Sequence, residues 1–117
     1  MGIIWYKSLY LGTLVRKKAG RIKRKIDRGI YPPGIYLVTL SGGSAVLELI
    51  PAIELRVACV RAQLPMVVGI AGGKAEAEYV ASRIVQDTWE AQGDADVRRF
   101  LESEDRRRIW YISSWPS

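Results

Sequence analysis

The N-terminal part of the chain contains an apolar segment and, after it, a set of hydrophobic residues at helical spacing. Ile3 to Leu11 is rich in β-branched, aromatic and aliphatic residues, which is typical of a short strand or an apolar arm. From Val15 to Arg28 the apolar positions follow at steps of four, three and four, which places them along one side of a helix. This apolar stripe consists of Val15, Ala19, Ile22 and Ile26. Gly29 is the expected helix stop, because glycine readily adopts the left-handed conformation that ends many helices.

Two longer apolar runs, Ile35 to Leu40 and Met66 to Ile70, predict buried strands. Residues 36–50 align without gaps to residues 66–80, and each copy is predicted to be a strand, a Gly-Gly turn and a helix. Chance similarity between two such units is the alternative, and both interpretations predict the same architecture. The two strands would be parallel neighbours joined through a right-handed crossover. The Gly-Gly pairs are Gly42, Gly43, Gly72 and Gly73.

Helical spacing of apolar residues continues after both predicted turns. The first helix would run from Leu47 to Leu64, with a kink or a restart at Pro51. The second would run from Lys74 to about Gln92 and stop at Gly93. Asp94 could then cap a short helix whose core-facing residues would be Val97, Phe100 and Leu101.

A last strand is predicted from Arg108 to Ser113, either at a sheet edge or with its tryptophans against a partner. The whole pattern predicts one small α/β domain over residues 1–117, with a βαβα core, parallel strands and one or two terminal strands. Residues 1–29 would carry the basic helix, residues 35–102 the core and its short helix, and residues 103–117 the tail.

Composition excludes several kinds of chemistry. The 117 residues are 49% hydrophobic and 26% charged, which is typical of a folded domain. Cys59 is the single cysteine and there is no histidine, so one chain can form neither a disulfide, nor a cysteine-histidine metal site, nor a histidine-based triad. We therefore expect no metal, no cofactor and no catalytic residue. The sequence also has no run long enough to span a membrane and no signal-peptide pattern, so a cytoplasmic location is expected.

Charge is distributed unevenly along the chain. Residues 1–28 hold nine Lys and Arg against Asp27, a net charge of +8, whereas residues 29–117 hold nine basic and eleven acidic residues, a net charge of −2. Four of the cations form one row opposite the apolar stripe, and this basic row consists of Lys17, Arg21, Arg24 and Arg28. Such a row suits nucleic acid phosphates or an acidic protein surface. A solvated helix face is an equally weighted alternative.

The two Gly-Gly turns are candidates for binding an anion, because backbone N–H groups at a helix start favour negative charge. Parallel strands would bring both turns to one edge of the sheet, where ligands of α/β folds commonly bind. Neither turn matches a complete phosphate-loop or dinucleotide motif, so a purely structural role is favoured. The candidate residues are Gly42, Gly43, Ser44, Gly72, Gly73 and Lys74.

The remaining candidates have simpler structural interpretations. Cys59 lies in an apolar segment and is expected to be an inert core residue. Asp94 and Asp96 could be an acidic pair for a metal or for acid–base chemistry, but helix capping explains them more simply. The four tryptophans are expected to fill the core or an interface, and they are Trp5, Trp89, Trp110 and Trp115.

The segments IYLVTLSGG, VVGIAGG and GDADVRRFL within residues 35–101 resemble a group of small bacterial proteins of unknown function, as does the basic N-terminal helix. This resemblance implies a compact α/β fold and supplies no site residues. The sequence favours a non-enzymatic module that binds a polyanion through the basic helix, with nucleic acid as the first candidate. The alternatives are a small-molecule or phosphate-binding protein or phosphoester enzyme at the Gly-Gly turns, and a structural protein that forms homo-oligomers.

Overall fold

A four-stranded sheet with helices on both faces is the framework of the protein in a computed structural model, which describes residues 2–40 and 47–104. This arrangement confirms the predicted small α/β domain. The elements in chain order are β1 (Trp5–Leu11), a first 3₁₀ turn (Arg16–Lys18), α1 (Ala19–Asp27), β2 (Ile35–Leu40), β3 (Leu47–Pro51), a second 3₁₀ turn (Ala52–Arg56), α2 (Ala58–Ala62), β4 (Val67–Gly72), α3 (Lys74–Gln92) and α4, the helical residues 97–104.

The strands lie in the order β1-β4-β2-β3, and their directions correct one prediction. The runs Ile35 to Leu40 and Met66 to Ile70 are neighbours as expected, but β2 and β4 are antiparallel, with Ile35 opposite Gly72 and Leu37 opposite Ile70. The parallel pair of the sheet is β1 with β4. The proposed duplication of a strand–turn–helix unit is therefore wrong.

The predicted helix from Leu47 to Leu64 is also wrong, because its first part is a strand. β3 pairs antiparallel with β2, from Leu40 opposite Leu47 to Tyr36 opposite Pro51. Pro51 then ends the strand at φ −62° and precedes the second 3₁₀ turn. By pairing with β3, the backbone N–H and C=O groups of β2 form hydrogen bonds that they would lack if residues 47–51 were a helix. Strand pairing therefore outweighs the helical spacing of the apolar residues. Within this segment an α-helix remains only at α2.

Apolar side chains pack on both faces of the sheet, as the continuous apolar strands predicted. A β-bulge in β4 sets which residues face which side, since Val38 lies opposite Gly69 and Thr39 opposite Val67, leaving Val68 extra. On one face, Val38, Leu40 and Val68 of the sheet pack with side chains of α3 and α4, namely Val80, Ile84 and Phe100. On the other face, Leu37 and Ile70 of the sheet pack with side chains of the α1 region and the second 3₁₀ turn, namely Val15, Ile22, Ile26 and Leu55.

Both predicted glycine stops are confirmed. After α1, Gly29 has φ +85°, and the Ile30 N–H donates to the Lys25 carbonyl at 2.8 Å, as in a Schellman motif. After α3, Gly93 has φ +75° and its N–H donates to the Trp89 carbonyl at 2.8 Å. A side chain at either glycine would strain the left-handed backbone.

The short helix near the end of the described chain is α4, and its predicted core residues Val97, Phe100 and Leu101 are buried. Asp96, rather than Asp94, caps it, because the Arg99 N–H donates to Asp96 Oδ1 at 3.2 Å. The predicted strand from 108 to 113 lies outside the described residues. No helix in the described part of the chain is long and apolar enough to cross a membrane.

Candidate functional site

The predicted basic helix is formed by the first 3₁₀ turn together with α1. All four residues of the apolar stripe are buried against the sheet. The opposite side faces solvent, and all four residues of the basic row are exposed there: Lys17, Arg21, Arg24 and Arg28. The helix therefore separates its apolar and cationic faces as the spacing predicted.

The charge of the basic row is not neutralised by the rest of the described chain. The described ion pairs involve Arg83 with Asp87 and Arg99 with Asp94, none of which belongs to α1. Asp27, the acidic residue of α1, accepts a hydrogen bond from Trp5 Nε1 at 2.9 Å. The solvent side of the helix consequently keeps its full positive charge.

Trp5 links β1 to the flank of α1. Besides its bond to Asp27, its ring lies under the Lys23 ammonium, which is 5.6 Å from the ring centroid. Trp5 is thus half-buried at an interface between elements, in line with the expected role of the tryptophans. Trp89 is an exception, since 55% of its surface is exposed, and Trp110 and Trp115 lie outside the described residues.

A groove of about 1040 Å³ lies at the C-terminal end of α1, where the helix meets α2 and the start of the chain. Its cationic lining residues come from three different segments and are Arg28, Arg56 and Arg61. Tyr31 adds an aromatic ring, and Ile4 adds an apolar side chain that is 61% exposed. No sequence pattern signals this groove, because Arg56 and Arg61 lie in the part of the chain whose net charge is negative.

Arg61 is held in place by the backbone of the second 3₁₀ turn. Its Nη1 donates to the Leu55 carbonyl at 2.7 Å and to the Arg56 carbonyl at 3.2 Å. Carbonyl partners orient the guanidinium without cancelling its charge. Arg61 therefore contributes a fixed positive charge to the wall of the groove.

The strands that precede the two Gly-Gly pairs, β2 and β4, do not end on the same side of the sheet. β2 and β4 are antiparallel, so their carboxyl ends point in opposite directions, and the parallel arrangement that would have brought the two turns together is wrong. Gly42, Gly43 and Ser44 lie outside the described residues. Gly72, Gly73 and Lys74 do lie at the start of α3, with Gly73 at φ +113°.

The side-chain carboxylate of Glu76 lies at the turn formed by Gly72 and Gly73. Glu76 Oε1 accepts the Gly72 N–H at 2.8 Å, and Glu76 Oε2 accepts the Leu14 N–H at 3.0 Å. These are backbone donors of the kind that an external anion would use at a helix start. The chain thus supplies its own anion here.

A second cavity, of about 860 Å³, lies between β1, α3 and α4. In its wall the Tyr10 hydroxyl donates to Asp87 Oδ2 at 2.7 Å, and Asp87 Oδ1 lies 3.4 Å from Arg83 Nε. Burial, followed by the bond to Asp87, raises the pKa of Tyr10 well above its ordinary value. These groups satisfy one another, which is typical of a structural network.

The minor candidates also have clear positions. Cys59 is exposed on α2, so the expectation of a buried core cysteine is wrong. Asp94 Oδ1 accepts the Asp96 N–H at 3.0 Å and the Gln92 side-chain amide at 2.8 Å. Both aspartates therefore act locally in the turn before α4. Among the described residues no group of three acidic or cysteine side chains is placed to bind a metal.

Comparison with known proteins adds no relative to this picture: no protein-family model, no curated protein and no solved structure matches the chain.

Proposed function

We propose that this protein is a non-enzymatic binding module that engages nucleic acid through the basic row. The observation that carries the proposal is the exposure of Lys17, Arg21, Arg24 and Arg28, which lie in the first 3₁₀ turn, in α1 and at its C-terminal end, without an ion-pair partner in the described chain. Nucleic acid presents a regular series of phosphates, and cations that neutralise them gain affinity by releasing condensed counterions.

Repulsion within the basic row favours a bound polyanion over a merely solvated face. Arg24 and Arg28 are four residues apart at the end of α1, and like charges at this spacing destabilise a helix by about 0.2–0.5 kcal/mol. Solvated helices commonly offset such pairs with acidic neighbours, which this face lacks. A series of phosphates along the row would relieve the repulsion.

The basic row is also held on a rigid support. The apolar stripe anchors α1 to the sheet, the Schellman motif at Gly29 fixes its end, and the bond from Leu14 to Glu76 fixes the loop before it. The backbone beneath the row therefore loses little conformational freedom when the row binds. The cytoplasm, where nucleic acid is abundant, is the location that this proposal implies.

The proposal is tested by titrating labelled DNA and RNA of unrelated sequence at several salt concentrations, with fluorescence anisotropy as readout. Binding should weaken steeply with salt, with a log–log slope near −0.9 per duplex phosphate neutralised or about −0.7 on single strands. Replacing all four residues of the basic row with Gln should remove up to about four contacts and flatten the slope accordingly. Circular dichroism checks that the variant remains folded.

A matched control shows whether the loss of affinity comes from the basic row or merely from the lower net charge of the protein. Gln at Arg21 and Arg24 lowers the net charge by two, and the control, Gln at Lys7 and Lys74, lowers it equally at exposed positions that make no ion pair with a described residue. This control should retain most of the affinity. Equal losses in both variants, or no binding of the unaltered protein at low salt, would overturn the proposal. Binding to polyglutamate but not to nucleic acid would instead identify an acidic protein as the partner.

A further inference from the structure

The groove at the end of α1 is continuous with the basic row, because Arg28 belongs to both. The row is a convex surface on a helix, whereas the groove is a recess between α1, α2 and the start of the chain. A ligand that follows the row toward its C-terminal end therefore reaches the mouth of the groove. The two features form one surface, which we call the row–groove surface.

The groove is positively charged. Arg28 and Arg56 are exposed and make no ion pair with a described residue, and Arg61 is bonded only to main-chain carbonyls among the described groups. Asp27 is the acidic residue among the lining side chains, and its carboxylate accepts the Trp5 indole N–H. Three cations against one engaged carboxylate suit a ligand that carries several negative charges.

The groove also has an apolar side, which a phosphate backbone alone would not use. Tyr31 is half-buried in its wall, and Ile4 is 61% exposed beside it. Aromatic rings in cationic grooves stack on unpaired bases, and such stacking tolerates any base because every base has a flat π-face. A duplex hides its bases in the stack and offers this wall nothing but backbone.

We infer that the nucleic acid is single-stranded: its phosphates follow the basic row and the groove cations, and an unpaired base stacks on Tyr31. This inference rests on the proposed function, since it specifies the form of nucleic acid that the same surface takes. RNA and DNA share the relevant chemistry, namely a phosphodiester backbone and exposed bases.

The test compares twelve-nucleotide oligouridylate and oligothymidylate with a DNA duplex of equal length, by fluorescence anisotropy at matched salt. Both single strands should bind at least about tenfold more tightly than the duplex. Arg56→Gln, at an exposed position, should weaken single-strand binding several-fold and leave duplex binding unchanged. The two oligonucleotides show whether the ribose hydroxyl contributes.

Variants at Tyr31 test the stacking contact. Tyr31→Ala should lower single-strand affinity by about tenfold, whereas Tyr31→Phe, which retains the ring, should not. Tyr79→Ala is the matched control, because Tyr79 is 65% exposed on α3. Since Tyr31 also packs against the core, a photocrosslink from 4-thiouridylate is measured on the unaltered protein, and it should map to the peptide that contains Tyr31.

The outcomes separate the two proposals. If the duplex binds as tightly as the single strands and the Arg56 and Tyr31 variants change nothing, this inference is wrong and the proposed function stands. If neither form binds at low salt, the proposed function itself is wrong. Crosslinks confined to α1, away from Tyr31, would also overturn the placement of a base in the groove.

Discussion

Glu76, in the first turn of α3, accepts the N–H of Leu14, which lies 62 residues earlier in the chain, at 3.0 Å. The second oxygen of the same carboxylate accepts the Gly72 N–H at 2.8 Å. One side chain therefore ties the loop after β1 to the end of β4. The loop leads directly into the basic helix, so this clamp sets where the basic row begins.

Glu76→Ala should lower the free energy of unfolding by about 2 kcal/mol, because two backbone donors would lose a charged acceptor. Urea denaturation followed by circular dichroism measures the change. Glu78→Ala, at an exposed position of the same helix, should have an effect close to zero. Equal effects of the two substitutions would mean that the clamp contributes nothing.

Gly12→Ala should destabilise the protein because a Cβ at this buried position would overlap the Glu76 carboxylate. To make room, the Glu76 side chain must move and give up its two backbone donors, so the expected cost is about 2 kcal/mol, as for Glu76→Ala. A double-mutant cycle checks the cause: in the Glu76→Ala background the cost of Gly12→Ala should fall to near zero. An undiminished cost in that background would point to a different clash.

Gly69→Ala should cost about 1–3 kcal/mol, because the new Cβ would lie 3.0 Å from Val80 Cγ1 and 3.1 Å from the Tyr10 carbonyl oxygen. This glycine lets α3 pack closely on the bulged strand. Gly20→Ala is the contrasting case, since its Cβ would meet only a flexible arginine end at 3.7 Å within the helix α1. The free energy of unfolding of Gly20→Ala, measured by thermal or urea denaturation, should rise by up to about 1 kcal/mol.

Tyr10→Phe should lower stability at neutral pH by about 1–2 kcal/mol, because the hydrogen bond to Asp87 is lost. Since burial raises the pKa of Tyr10 above its ordinary 10.0, the folded state keeps a proton that the unfolded state releases. The stabilisation of the fold by protonated Tyr10 is therefore complete below pH 10 and falls as the pH rises further. Urea unfolding from pH 7 to 11 should therefore show a flatter alkaline decline for Tyr10→Phe than for the exposed control Tyr79→Phe.

Asp94→Asn should make stability less dependent on acidic pH. The Asp96 N–H, followed by the Gln92 side-chain amide and Arg99, lowers the pKa of Asp94 below its ordinary 3.8. The charged carboxylate thus stabilises the fold above pH 3.8, and this contribution is lost as pH falls through the lowered pKa. The difference in melting temperature between the unaltered protein and the variant should shrink from pH 6 to pH 2. A difference that is constant with pH would contradict this assignment.

Several features could be predicted from the sequence because their causes are local. The apolar stripe and the basic row follow from spacing at 100° per residue, and Gly29 and Gly93 mark helix ends through the conformations that glycine allows. Val97, Phe100 and Leu101 were likewise predicted to be buried by their spacing alone. Such features depend on neighbours within a few residues.

The directions of the strands and the formation of the groove depend on segments that are far apart in sequence. The direction of β2 against β4, and the pairing that makes Leu47–Pro51 a strand, follow from the backbone partners available in the folded sheet. The groove brings Arg28 and Tyr31, which follow α1, together with Arg56 from the second 3₁₀ turn, and no sequence periodicity predicts this proximity. Which helix faces are apolar or cationic can be deduced from local spacing, because side-chain direction repeats along a helix. Strand order and the groove cannot be deduced in this way, because they arise from packing between distant segments.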